Sequence, residues 1–429
     1  MKTIKSTALL SLLVIGGCLH NGEPMDTGKA PIPKADLAKV DGKGEARVDH
    51  MIARSKGWIE TMPDHPKGYN ALGLALMQKG RETGELDRYV EAMTAFEEAV
   101  KLDPKNSESL RYNAWCSTMF HNFPKALELA NKALEIEPKD AFSNGVLADS
   151  YIELGQYEKA TEAAQRMMDI RPDLASYSRA AQIRWIYGDV KGAILFMEKA
   201  MNAGGAFAEN TAWCQTQLGD MQWKSGATMA AVQNYRDVLS RMPDYRHAQF
   251  GLARFLASEG KSDEAIALMK KSVRGTAPIS YVLMFADYLK SIGKTSEAET
   301  EFARVPKLIQ EHLEHGIEGD ELVEASYYMK RGENLDKALE LCESEVKEHT
   351  SIATYSTLAW AYFHKGRFAD AEKTIAKARA TGVQDAEVWY REGKIKEALG
   401  KKDEARRLIG AAFNLNPNFD LTIRQDASR

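Results

Sequence analysis

From Ile136 to Pro172 the chain reads IEPKDAFSNGVLADSYIELGQYEKATEAAQRMMDIRP. Apolar and small side chains recur at helical spacing on both sides of Gly155, which predicts two amphipathic helices joined by a tight turn. A proline stands at each end, and Asp140 and Asp173 follow the prolines where a helix N-cap belongs. The pattern repeats. Pro104, Pro138 and Pro172 lie 34 residues apart, each after an apolar–charged pair: Leu102-Asp103, Ile136-Glu137 and Ile170-Arg171. Alanines keep the same beat at Ala92, Ala126, Ala160, Ala193, Ala231, Ala265, Ala298, Ala338, Ala371 and Ala405. Glycine precedes most of them by five residues: Gly155, Gly188, Gly226, Gly260, Gly293, Gly366 and Gly400. Asp244 is read as a third N-cap of the Asp140 kind.

Each marker has a physical task. Alanine lets two helices cross closely, while large residues at the fourth, seventh and eleventh positions of the 34-residue unit fill the space around the crossing. Glycine supplies the left-handed residue that a tight interhelix turn needs, and proline presets the start of the next unit. Such a unit resembles the tetratricopeptide repeat. The strongest copies are Leu147-Ala148-Asp149-Ser150-Tyr151 with Gly155, Tyr157, Ala160 and Pro172, and Leu358-Ala359-Trp360-Ala361-Tyr362 with Gly366, Phe368, Ala371 and Ala378. The resemblance implies an all-α fold, a right-handed superhelical solenoid of about ten helix-turn-helix repeats over residues 64–417. Residues 45–63, with Val48, Met51, Ile52, Ile59 and Met62 at helical spacing, read as a helix capping the first repeat, and 418–429 as a tail. Three departures stand out: about seven extra residues between Gly80 and Ala92, the run Asn202 to Ala206, and the long step from Ala298 to Ala338. They read as a longer turn, a loosened joint or hinge, and an extended second helix. The eighth unit, Leu322 to Glu348, has the poorest markers.

The first residues carry an address. Lys2 and Lys5 precede an apolar run from Ala8 to Ile15, then Gly16-Gly17-Cys18. This is the pattern of an export signal over 1–17, too short to span a bilayer as a permanent helix. Ile15-Gly16-Gly17-Cys18 resembles the lipobox of bacterial lipoproteins, which implies lipidation at Cys18 and, with Leu19 next, an outer-membrane anchor facing the periplasm. Residues 18–44 hold Pro24, Pro31 and Pro33 with no apolar periodicity and read as a flexible tether.

Fifty-seven basic against 61 acidic residues give a net charge of −4, so there is no electrostatic case for nucleic acid. Cys116, Cys214 and Cys342 are widely separated and fall within helical apolar patterns, as buried small hydrophobes do. No phosphate loop, nucleophile elbow or zinc-protease motif is present, and neither an enzymatic activity nor a cofactor is expected. The only metal-like cluster, Glu311, His312 and His315, reads as a polar helix face, so no metal is assigned. What remains is recognition. In the resembled family the first helix of each unit lines a concave groove, and its usual contact positions fall here on Trp115, Asp149, Trp185, Asp220, Trp223, Arg254, Tyr327, Trp360 and Phe363. Met119, Glu153, Lys224, Asp287, Arg331 and His364 share that register. Aromatic and Arg side chains most often dominate binding energy. The expectation is a membrane-anchored scaffold that binds another envelope protein or peptide. Two alternatives stay open: a small-ligand or metal receptor or enzyme with its site inside the superhelix, and a self-assembling protein whose groove takes a neighbour's tail. The tail residues Phe419, Leu421 and Ile423 either dock in that way or cap the last helix pair.

Overall fold

A computed structural model describes residues 44–423, apart from 84, 206–207, 276 and 318. The export segment, Cys18 and nearly all of the tether lie outside the described residues. Helix α1 (Gly44–Thr61) is followed by ten two-helix units. They are α2 (Pro66–Thr83) with α3 (Asp87–Leu102), α4 (Ser107–Met119) with α5 (Phe123–Ile136), and α6 (Ala141–Glu153) with α7 (Tyr157–Ile170). Next come α8 (Leu174–Ile186) with α9 (Val190–Ala203), α10 (Glu209–Lys224) with α11 (Thr228–Arg241), and α12 (Arg246–Ser258) with α13 (Ser262–Ser272). The seventh unit is α14 (Ile279–Ser291) with α15 (Thr295–Phe302), and it is followed by an extra helix, α16 (Val305–Glu314). The last three are α17 (Glu321–Arg331) with α18 (Leu335–Glu345), α19 (Ile352–His364) with α20 (Phe368–Arg379), and α21 (Ala386–Ala398) with α22 (Lys402–Leu415). All assigned elements among the described residues are helical, and none is long and apolar enough to cross a membrane.

The alanine beat is the packing beat. Nine of the ten alanines are 0% exposed and Ala405 is 3%, because each sits where its unit's two helices cross. The glycines before them adopt the left-handed conformation expected of the turn, with φ of 71° at Gly155 and 72° at Gly366. Asp140 caps α6 through the Ser143 N–H at 2.9 Å, and Asp173 forms a reciprocal capping box with Ser176 at α8. Asp244 does not cap α12. That helix begins two residues later, after Tyr245, and its Gln249 side chain donates to the Pro243 carbonyl at 2.9 Å.

The departures resolve individually. The insertion near Gly80 lengthens α2, which has 18 residues where α4 has 13, and leaves only a short link to α3. The long step after Ala298 is two helices rather than one. Pro306 has no N–H to give and would crowd the preceding turn, so α15 stops at Phe302 and α16 starts afresh with the proline in its first turn. Unit eight folds with Gly332 and Asn334 both left-handed, at φ of 69° and 48°. Helix α9 packs directly on α10, so the Asn202 region does not part the solenoid.

Two compact units emerge, 44–147 and 148–423. In the first, α1 covers α2 as a cap: Gly68 lies so close to Ile59 that a Cβ would approach its side chain to 2.9 Å. In the second, first helices of neighbouring units touch one another, α10 with α12, α14 with α17, α17 with α19 and α19 with α21, and so form its inner layer. This unit also meets itself after one superhelical revolution. The Thr350 N–H and hydroxyl both donate to the Leu154 carbonyl, at 3.3 and 3.1 Å, and the Ile352 N–H donates to the Tyr157 hydroxyl at 2.8 Å. Gly188 lies against the Gly382 carbonyl and Gly226 against that of Leu415. The turns of units three, four and five thus rest in order on the links after units eight and nine and on the end of unit ten. A Cβ at any of these three glycines would overlap backbone.

Candidate functional site

The inner face of α17, α19 and α21 carries the half-exposed aromatic surface. Trp360 and Phe363 sit three residues apart on α19, so they share a face, and their rings stack at 4.5 Å with 2° between planes. His364 meets the Trp360 ring edge-on at 5.2 Å. From α21, the Arg391 guanidinium lies 5.8 Å from the Trp360 ring centre, donates to the Ser356 hydroxyl at 3.0 Å and pairs with Glu387. From α17, Lys330 pairs with Asp287 of α14 at 2.5 Å. Burial, Arg391 and Lys330 together hold the His364 imidazole below its usual range, so it is neutral at pH 7. Burial works against the charge of Lys330, but Asp287 and Asp420 outweigh it and raise its pKa. Tyr327 extends the aromatic surface, with the Arg331 guanidinium 5.8 Å from its ring. This patch offers flat apolar rings with fixed cationic groups beside them, the composition that recognises peptide side chains.

The other candidates divide by burial. Trp185 remains half-exposed on α8. Trp115 is 1% exposed and stacks obliquely on Tyr89 at 5.9 Å, so it belongs to the core, not to a groove. Trp223 is 3% exposed, with the Arg254 guanidinium 5.6 Å from its ring, and is core as well. Asp149 is 1% exposed and forms a buried ion pair with Arg179 of the next unit, where burial pushes its carboxyl pKa up. Asp220 and Arg254 form an ion pair, and the Tyr235 hydroxyl donates to Asp220 at 2.8 Å. The Tyr235 ring fills a slot between Gly219 and Gly251, where a Cβ on either would come within 2.6 Å of it. This network joins α10, α11 and α12 and leaves little for a ligand.

Sequence reasoning missed Lys330, Arg391 and Tyr390, which stands next to Arg391 on α21. Lys330 and Tyr390 lie eight and fifteen residues before Ala338 and Ala405, which is groove register, so that signal was present. Arg391 is one residue off register and gave none. The histidines near α16 have partners of their own: His312 Nδ1 is 2.7 Å from Asp320, and His315 Nδ1 is 2.6 Å from the Glu311 carbonyl oxygen. Among the described residues no group of three or more metal-binding side chains converges. Cys116, Cys214 and Cys342 are buried free thiols, as their apolar pattern predicts.

Comparison with known proteins places this architecture. Human IFIT1, solved as a dimer with m7Gppp-AAAA, matches with a TM-score of 0.50 at 15% identity, over 79% of this chain and 78% of that one, which is a likeness of fold. The TPR repeat-containing protein YpiA of Bacillus subtilis is 24% identical over 80% of this chain and 82% of its own length. The CTR9 homolog of Arabidopsis thaliana is 25% identical over 53% of this chain, which spans only 21% of that protein. The Hsp70-Hsp90 organizing protein of Triticum aestivum is 29% identical over 22% of this chain and 16% of its own. Family models described as tetratricopeptide repeat match residues 66–106, 118–183, 216–278 and 356–416. With the buried alanines of all ten helix pairs and the glycine turns from the third pair onward, these matches make the chain a member of the tetratricopeptide-repeat proteins.

Proposed function

We propose that this protein is a scaffold of the bacterial cell envelope that holds a partner protein or peptide on the inner face of its last units, anchored to the outer membrane by lipid at Cys18. The observation that carries the binding half is the stacked Trp360–Phe363 pair, half-exposed on an inner helix beside His364 and Arg391. Ring surface left open in a chain that buries Trp115 and Trp223 is available to a ligand. A peptide suits this surface better than a polyanion. The chain carries a net charge of −4, and the acids Asp287 and Glu387 already engage the cations of the patch. The anchoring half rests on the sequence Ile15-Gly16-Gly17-Cys18 after a short apolar run.

Several acyl chains on one cysteine hold a protein at a membrane nearly irreversibly, each buried CH₂ contributing ~0.8 kcal/mol. Metabolic labelling with a radioactive fatty acid and membrane fractionation test the anchor. The native protein takes up label and sediments with outer membranes, whereas Cys18→Ser takes up none and stays soluble. Equal labelling of the two proteins would refute lipidation at Cys18.

A further inference from the structure

Three consecutive residues after the last helix reach three different places. Phe419 packs against Tyr390 of α21 and Phe413 of α22, at 5.3 and 5.4 Å between ring centres. Asp420 acts electrostatically on Lys330 of α17 and on Tyr390. Leu421 packs, half-buried, against the apolar core built from units five to nine. The segment is held in shape by its own turns: the Thr422 N–H and hydroxyl donate to Asp420 at 2.8 and 2.7 Å, and the Ile423 N–H donates to the Asp420 carbonyl at 3.4 Å. The tail therefore does more than cap the final helix pair. From α21 it reaches toward Lys330 of α17 and the same apolar core against which Trp360 packs.

We propose that residues 418–423 are a built-in occupant of this groove, and that the partner's binding segment has the same chemistry, an aromatic, an acidic and an aliphatic residue in succession. This rests on the reading of the inner face as the binding surface. Lys330 already faces Asp287 on α14 and Glu387 on α21, with neutral His364 on α19 beside it, so the acidic residue of the ligand chiefly sets register. The apolar residues on either side supply most of the attraction. The tail holds the groove by proximity, since a tethered ligand acts at high effective concentration. A partner must displace it, and its apparent affinity is the intrinsic one multiplied by the fraction of molecules whose tail is out.

A fluorescent peptide NPNFDLTI, the sequence 416–423, tests this by polarisation against the full-length chain. Native protein should bind it weakly. A full-length Asp420→Ala, Leu421→Ala variant should bind at least about tenfold tighter, because its own tail competes less. The same variant should bind more weakly when Lys330→Ala is added, and should lose that binding when the peptide carries alanine in place of its Asp and Leu. Amide exchange over 418–423 should rise in the variant while its melting temperature stays near native; Asp420→Asn is the milder variant should the double change lower it. Equal binding to native and variant chains, or binding to neither, overturns the proposal. Loss of a natural partner on Trp360→Ala is a separate readout, so the tail assignment can fail while the groove reading stands.

Discussion

Units five and nine bear the same marks and use them differently. Each has an aromatic at the same position of its first helix, Trp223 and Phe363, then a left-handed glycine, Gly226 at φ 81° and Gly366 at 72°, then a fully buried alanine, Ala231 and Ala371. In unit five Trp223 is buried beneath Arg254, and Gly226 is pressed on the Leu415 carbonyl. In unit nine Phe363 lies half-exposed on Trp360, and nothing stands within 4 Å of where a Gly366 Cβ would be. The local signal fixes the helix pair in both units. Its wider role depends on what the next revolution of the solenoid brings alongside.

Paired substitutions sharpen the contrast. Trp223→Ala should cost ~3–5 kcal/mol, as a large buried side chain does, whereas Phe363→Ala should cost about 1 kcal/mol. Urea unfolding read by circular dichroism measures both, and similar losses would erase the distinction between core and groove. The glycines give the next largest difference. An alanine at positive φ costs ~1–2 kcal/mol wherever it sits, and this is all that Gly366→Ala should lose. Gly226→Ala must also push away the Leu415 carbonyl, adding ~1–3 kcal/mol of overpacking. Equal midpoints for the two variants would mean that the contact between revolutions carries no load.

Acidity probes the contact between revolutions more gently. Burial, with Asp149 and Glu345 nearby, pushes Glu153 up to about 8, and burial and Glu345 push Glu321 up to about 7. Both acids are thus raised above their ordinary 4.5, so the stability they contribute is complete below that value and is lost as pH rises through 7 and 8. Burial depresses His349, which pairs with Glu345 at 3.0 Å, from 6.5 to about 4, so its contribution is present above 6.5 and is lost as pH falls through 4. From about pH 4.5 upward the two acids lose more than the one imidazole returns, so thermal stability should peak near pH 4.5 and fall toward pH 8. Glu153→Gln should flatten the alkaline side, raising the melting temperature at pH 8.5 by a few degrees, ~2–4 °C. A wild-type curve that climbs steadily to pH 8.5 would contradict this.

The fold was legible because alanine crossings, glycine turns and proline stops are local demands, met by residues within one unit. Ala160, Gly155 and Asp173 do what their spacing predicts. What was not legible depends on distant neighbours. Trp223 and Phe363 look alike in sequence, and only the packing of Arg254 on one and Trp360 on the other separates them. Asp149 occupies a groove position by register, yet Arg179 of the following unit claims it. The meeting of Gly155 with Thr350 spans almost half the chain, beyond any local pattern. Pro306 is the exception, a local signal in the sequence that splits the long segment into α15 and α16.

On the proposed function, the inner face of unit nine binds a partner while the matching aromatic of unit five holds the fold. Affinity capture from detergent-solubilised envelopes, with the full-length lipidated protein beside its Trp360→Ala, Phe363→Ala variant, tests it most directly. The account predicts a stoichiometric partner on the native protein that is absent from the variant, with both melting within a few degrees of each other. Retention of the same partner by a folded variant would contradict it.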